Sequence, residues 1–420
     1  MHGFYNMVVS FLNFLMRQVQ KGHMLFVKEG SKTHRFILGQ KNLLPQIAHS
    51  LRDETRPVCW VHASSMGEYA VARPIIRQLQ ARGMAVVLTF FSSSGYEALH
   101  GKSGTADYVF YMPFDTRKNV RNFLDTVKPE RVVFIISEYW INYLTELRKR
   151  QIPTFLISAL IPDTSYLLKW YAWPLRKALK AFTTFTVNDQ RSKENLRKIG
   201  FENCQLVGDP LFDNAITIAR SDYHNEIVAR FCSDTEEIFV AGSINDENDR
   251  SIVTGLANAE SRMKFIMVPH EISDASILKI TDNCKGHTIR YSECDKDTDF
   301  TYIQTIIIDY IGDLSRLYRY GHYAYVGGGF TRYLHSVIEP VAYGLPVAFG
   351  PNIYRKATPQ QMIDLGIGAI VHNADELQQW LGTIRGSRYE AVREKAKDYT
   401  HQNGGATEAI TSIILAKNEQ

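Results

Sequence analysis

Cysteine is scarce in this chain and nowhere paired. The 420 residues carry five, Cys59, Cys204, Cys232, Cys284 and Cys294, with no CxxC spacing. An odd, scattered set excludes a disulfide framework and suits a reducing compartment. An excess of one charge is lacking too: 48 Lys and Arg against 44 Asp and Glu leave a formal charge of +4, so bulk electrostatics gives no case for nucleic acid. No apolar run reaches the ~20 residues of a spanning helix. There is no low-complexity segment and no internal repeat. The alternating acids Asp295, Asp297 and Asp299 are followed by Phe300 where a calcium loop needs glycine and by Ile306 where it needs glutamate. That excludes the one metal motif in view and leaves a solvated acidic loop.

What is present is core material. A content of 45% hydrophobic and 12% aromatic residues supplies two domains of ordinary size. The amino terminus is the exception to a soluble pattern: Phe4, Val8, Phe11, Leu12 and Leu15 recur at helical spacing, and Arg17, Lys21 and Lys28 follow. This predicts a helix lying in the membrane interface, with basic residues to meet anionic headgroups; a helix packed on the protein itself is the alternative. No small-residue cleavage site follows a basic start, which speaks against a removed signal peptide.

From Val58 to Val207 short apolar strands alternate with amphipathic helices, the pattern of a parallel sheet covered on both faces. The strands read as Pro57 to Val61, Ala85 to Phe90, Arg131 to Ile136, Thr154 to Ser158 and Gln205 to Val207. After Gly208, Asp209 and Pro210 the pattern restarts with Ile238 to Ala241, Phe265 to Val268, Thr305 to Ile308, Ala324 to Val326 and Pro346 to Phe349. The fold class is therefore α/β, with an amino-terminal segment over 1–30 and Rossmann-like domains over 31–208 and 209–420. The cleft between two such halves is the expected ligand site.

Glu68 is the first candidate catalytic base. The strand ending at Val61 breaks at His62, Ala63, Ser64, Ser65, Met66 and Gly67, and a helical pattern begins at Tyr69. A carboxylate there lies at the carboxyl end of a strand, where open α/β sheets do chemistry. In the second half, Gly327, Gly328 and Gly329 follow a strand, and glycines let backbone amides approach an anionic group. His335, Ser336 and Glu339 lead into a helical segment; a helix beginning near His335 would aim its free amides at a phosphate, with Glu339 accepting from ribose hydroxyls. Together these predict a nucleotide-sugar site. Gly242 and Ser243, after the strand Ile238 to Ala241, offer a second phosphate or sugar contact. Ser92, Ser93, Ser94 and Gly95 suit a polar acceptor group or a plain helix cap.

The segment His62 to Glu68 resembles the H-A-[AS]-S-[VLM]-G-E motif of the 3-deoxy-D-manno-octulosonic acid (Kdo) transferases of lipid A assembly. Further blocks stand in that family's order: Ser137 to Trp140 is similar to its T-E-L-W, Val207 to Asp213 to its G-N-L-K-F-D, Val240 to Ser243 to its V-A-G-S, and Val326 to Pro351 to its V-G-G-S, H-N-x-L-E-P-A, G-L-P-V and G-P run. The resemblance implies a GT-B fold, two Rossmann-like domains facing a cleft. It implies an inverting enzyme that moves Kdo from CMP-Kdo, a co-substrate, to a lipid A precursor at the cytoplasmic face of the bacterial inner membrane, with no cofactor and no metal. Glu68 would be the general base and Glu138 would share its cleft. Ser64, Ser65, Gly67, Ser92 and Ser93 would bind substrate. CMP would be held by Gly242, Ser243, Pro269, His270, Gly327, Gly328, Gly329, His335, Ser336 and Glu339.

A phosphorylated, acylated acceptor gives a reading to Tyr166 to Phe185, where Lys169, Arg176 and Lys177 are interleaved with Trp170, Tyr171 and Trp173. That mix suits lipid tails and phosphates together; a core helix with a basic outer face is the alternative. The chain departs from the family pattern at Asp209, Leu211, His270, Glu271, Arg332, Tyr333 and Ser336, with Arg355 or Lys356 as substitute cations for the donor. Two rivals predict differently. A nucleotide-sugar epimerase of similar fold would turn over a UDP-sugar with no lipid acceptor, and an inactive membrane-associated lipid-binding protein would be indifferent to Glu68→Gln.

Overall fold

The structure, a computed structural model, describes residues 2–23, 27–102, 104–331, 334–354 and 357–416. Among these residues the chain forms two compact units, one running through Asn214 and taking back the chain from Gly405, the other spanning Ala215–Gly404.

The first unit is built on seven parallel strands: β1 (Val58–His62), β2 (Ala85–Phe90), β3 (Tyr108–Tyr111), β4 (Arg131–Ile135), β5 (Thr154–Ala159), β6 (Thr184–Val187) and β7 (Cys204–Leu206). Their order is β3-β2-β1-β4-β5-β6-β7. The central strands are apolar on both faces and buried on both, as a sheet covered by helices requires. The helix Arg117–Val127 shows how the cover forms. Thr116 caps its amino end, and Val120, Phe123, Leu124 and Val127, one stripe at helical spacing, are buried. Trp60 on β1 centres the core, its ring 4.8 Å from Phe123 and 5.1 Å from Tyr143. The chain winds outward from β1 to β3 and then returns to β4, so the order reverses between β1 and β4.

The second unit repeats the plan with β8 (Ile238–Ile244), β9 (Lys264–Pro269), β10 (His287–Arg290), β11 (Ile303–Ile307), β12 (Tyr323–Val326), β13 (Val347–Phe349) and β14 (Gly368–Ile370). The order is β10-β11-β9-β8-β12-β13-β14, and here the reversal lies between β8 and β12. The expected strands are present within one or two residues, except that β8 runs three residues beyond Ala241, whereas β3, β6, β10 and β14, each only three or four residues long, were not read from the sequence.

The division of the chain differs from the sequence reading at both ends. The second unit starts at Ala215, and the last helix, Ala406–Leu415, belongs to the first unit rather than to a domain over 209–420. Asp213 explains the return: its carboxylate accepts the backbone N–H groups of Gly405 and Thr407 at 2.6 and 2.7 Å, neutralising the amino end of that helix. Arg82 adds an ion pair to Glu408.

The amino-terminal segment forms a helix, His2–Gln20, and lies within the first unit. Val9 and Val19 are buried, while Phe4 (65% exposed), Met7, Phe11 and Phe14 point outward. No helix among the described residues is long and apolar enough to cross a membrane. The Tyr5 hydroxyl donates to Asp115 at 2.5 Å, and the Asp115 carboxylate also accepts the N–H groups of Asn142 and Tyr143. Tyr5→Phe is expected to cost about 0.5–1.5 kcal/mol, the scale of one hydrogen bond, since burial pushes Asp115 up to about 7. Hydrogen exchange should then quicken across the helix; unchanged exchange there would show that Tyr5 does not hold it.

Candidate active site

In the first unit the carboxyl ends of β1 and β4, the two strands at the reversal, bring two carboxyl groups together, as expected for ligand sites in such sheets. After His62 the chain turns through Ala63 and Ser64, and Ser65 opens the helix Met66–Ala81 with a capping box. Ser65 Oγ accepts the Glu68 N–H at 3.4 Å, and Glu68 Oε2 accepts the Ser65 N–H at 3.1 Å. The box fixes the Glu68 side chain over the start of its own helix. After β4, Ile136 adopts φ 62°, a left-handed conformation rare for a β-branched residue. This turn carries the chain out of the sheet so that Glu138, two residues on, enters the same site. Strain of this kind collects at functional positions.

Glu138 is buried and well supplied with donors. His62 Nε2 lies 3.3 Å from its Oε2, and Trp140 Nε1 donates to the same oxygen at 2.5 Å. Burial works against its ionisation, but these donors and Ser64 outweigh it and hold it below the usual carboxylate range. Glu68 moves the other way. Burial and then the Glu138 charge push it up to about 8, against the pull of the Ser64 and Ser65 amides, and it is hydrogen-bonded to Glu138. Two carboxyls pushed apart in this way divide the roles of acid or base and fixed charge.

The remaining predicted residues of this unit sort by place. Ser92 is joined to the Glu68 turn, its N–H donating to Ser64 O at 2.9 Å. Ser92 and Ser93 line a cavity of about 430 Å³ with Leu12, Met16, Phe36 and Phe91. The Phe91 ring lies 5.0 Å from that of Trp140, the Glu138 donor, so one wall of the cavity packs against that donor. Tyr166 to Phe185 is not one helix. It divides into the turns Tyr166–Leu168 and Trp170–Ala172, the helix Trp173–Leu179 and the start of β6, because Pro174 sets a helix start. Trp170 is 84% exposed and Lys169 and Lys177 are exposed beside it. Arg176 is turned inward and donates to Lys169 O at 2.7 Å.

In the second unit the predicted donor residues gather at the ends of β8, β9 and β12. Gly242 and Ser243 lie inside β8 at a break in its register, not in a turn after it, and Ser243 has φ 55°. The Gly327 N–H donates to Gly242 O at 2.9 Å. A side chain at Gly327 would meet Ser243 O at 2.2 Å, and one at Gly329 would meet Gly350 N at 2.5 Å, so close backbone approach demands glycine at both. His270, after Pro269, faces His335 with ring centroids 4.5 Å apart. The expected helix at His335 does not form there: the His335 N–H is spent on Gly327 O at 3.2 Å, and the helix runs only from Ile338 to Ala342. Five residues give no helix terminus of the expected kind, so the glycine loop and not a dipole shapes this site. Glu339 falls in the first turn of the helix. Leu211 is buried and fills core where a basic residue was expected. Arg332, Tyr333, Arg355 and Lys356 lie outside the described residues.

Two residues were missed in the sequence. His62 opens the motif yet reads there as the first residue of the break after the strand, whereas it ends β1. Asp249 is fully buried and accepts from Tyr325 Oη at 2.7 Å, the Gly328 N–H at 2.8 Å and the Asn245 N–H at 3.0 Å, holding the glycine loop to β8. Only its place in the first turn of the helix Glu247–Ala259 hinted at it.

A family model described as 3-deoxy-D-manno-octulosonic-acid transferase (kdotransferase) matches residues 34–214, the stretch that carries Glu68 and Glu138. The chain is a glycosyltransferase that is similar, over this stretch of less than half its length, to the Kdo transferases. The 3-deoxy-D-manno-octulosonic acid transferase of Aquifex aeolicus is 26% identical over 346 residues, 81% of this transferase and 89% of the Aquifex chain. A bifunctional glycosyltransferase/methyltransferase of Fusobacterium nucleatum is 26% identical over 378 residues; the match covers 86% of the transferase and spans 57% of that protein's length. The solved UDP-GlcNAc 2-epimerase from Neisseria meningitidis bound to UDP-GlcNAc aligns with a TM-score of 0.62 at 15% identity, over 86% of the transferase and 99% of that chain. At that identity the likeness is one of fold, and the class is the α/β GT-B class.

Proposed function

We propose that the transferase moves Kdo from CMP-Kdo to a hydroxyl of a lipid A precursor with inversion, Glu68 acting as general base. The observation that carries this reading is the Glu68–Glu138 pair at the strand reversal of the first sheet. The acceptor oxygen attacks the anomeric carbon as the bond from that carbon to the phosphate oxygen breaks. The electron pair leaves with CMP, and the hydroxyl proton passes to Glu68. A nucleoside monophosphate carries its charge comfortably, so a few polar donors around the glycine loop suffice for its departure and no metal is required. CMP is assigned to the loop Gly327–Gly329 with Gly242, Ser243, His270 and His335. Exposed Phe4, Met7, Phe11 and Trp170 support an acylated acceptor met at the surface of the inner membrane. Transfer of labelled Kdo from CMP-Kdo to a tetra-acylated precursor in detergent, in the presence of chelator, tests the reading. Absence of transfer by folded protein would overturn it.

The pair also sets a pH dependence. A base must be unprotonated, and Glu68 is pushed up to about 8, so kcat/KM is expected to rise with pH and level off above about 8. A profile already flat between about pH 5.5 and 7.5 would mean that Glu68 is ionised throughout and that its partner does not tune it.

A further inference from the structure

We propose that Thr89, acting through His62, is a positioning residue that fixes Glu138 as the hydrogen-bond acceptor of the carboxyl pair and reserves the pair's proton for Glu68. The inference rests on the reading of Glu68 as the base. Thr89 is the cross-strand partner of His62 in the pairing of β1 with β2, and Trp60, His62 and Thr89 are all fully buried. Trp60 Nε1 donates to Thr89 Oγ1 at 2.8 Å. The Thr89 hydroxyl, with a lone pair so occupied, has its own proton free for His62 Nδ1 at 2.9 Å. His62 Nε2 then carries the ring proton and faces Ser64 Oγ at 3.2 Å and Glu138 Oε2 at 3.3 Å. Each hydrogen in the chain Trp60, Thr89, His62, Glu138 then meets an acceptor, that of Nε2 being shared between Ser64 and Glu138.

The opposite tautomer would send the Nδ1 proton to Thr89 O, at 3.1 Å, and leave a bare Nε2 lone pair against the Glu138 carboxylate. Glu138 would then take a proton and donate it to the ring, and Glu68 would lose the neighbouring charge. The other titratable side chains whose charge bears on Glu138 are Tyr139, beside it in the loop, and Tyr166, from the turn after β5; burial pushes both phenols up, so they stay neutral while the pair titrates.

Thr89→Val keeps the shape and removes the hydroxyl, and Thr89→Ser restores it. Thr89→Val is expected to lower the high-pH plateau of kcat/KM roughly tenfold, the scale of one lost hydrogen bond, and to move the acidic limb of its pH profile to lower pH. Thr89→Ser should keep the wild-type limb. A Thr89→Val profile that overlays wild type would overturn the proposal, since a structural role alone lowers activity without moving the limb. ¹⁵N spectra of the wild-type protein labelled at histidine give a test that needs no variant. They should show the His62 proton on Nε2; a proton on Nδ1 would overturn the proposal. Full activity in Glu68→Gln would instead remove the base reading, leaving the tautomer as measured.

Discussion

Glu68→Gln should lower the rate of transfer by roughly 10² to 10⁴-fold, the usual contribution of a general base, with little change in Tm. The substitution separates the helix-cap job that the structure gives this side chain from the base role proposed for it. As a helix residue, Glu68 completes the capping box with Ser65, and glutamine serves that box equally well because its amide oxygen still accepts the Ser65 N–H. As a base, it must take a proton, which an amide cannot do. The amide N–H₂ can donate to Glu138 in place of the shared proton, so the local geometry survives. Glu68→Ala would remove both jobs and would lose the bond to the Ser65 N–H, about 0.5–1.5 kcal/mol, as well, which makes it the less informative variant. Transfer rates at saturating donor and acceptor, with Tm measured on the same preparations, check the expectation. A glutamine variant as fast as wild type would leave Glu68 as a helix cap and nothing more.

The placing of Glu68 was legible because one short stretch of sequence carries it: an apolar strand, a break rich in serine and glycine, then helical periodicity. What surrounds it was not. His62, Thr89 and Trp60 meet through strand register, and Thr89 lies 27 residues from His62 in sequence. Glu138 was placed by family resemblance, and nothing local in the sequence announced the left-handed turn at Ile136. The helix expected at His335 failed for the same kind of reason, since a backbone bond to the glycine loop outweighed a serine and a periodic run. The return of the last helix to the first unit depends on Asp213, 192 residues before Gly405. Strand β6 was hidden because Tyr166 to Phe185 reads as one amphipathic stretch, although Pro174 divides it. Local pattern thus located most strands of both sheets and the strand ends at which the candidate residues gather. The contacts that tune those ends are tertiary.

Asp249→Ala is the substitution expected to damage the second unit most. Its carboxylate ties three segments: the end of β8 through the Asn245 N–H, the glycine loop through the Gly328 N–H, and β12 through the Tyr325 hydroxyl. Burial raises its pKa, while those donors pull it back. Alanine leaves a phenol and two amides without an acceptor in the interior. Removing one partner from a buried charged network costs about 3–5 kcal/mol, and at roughly 2–4 °C per kcal/mol for a unit of this size the melting point should fall by about 6–20 °C. Asp249→Asn is the sharper probe of function. It keeps one acceptor oxygen but turns an N–H₂ toward a donor, so the fold should persist while the loop Gly327–Gly329 shifts. CMP affinity measured by calorimetry should then weaken by about tenfold or more, a loss of roughly 1.4 kcal/mol. Wild-type CMP affinity in Asp249→Asn would mean that this loop does not bear on the nucleotide, and the assignment of the donor to the β8–β12 reversal would fall with it.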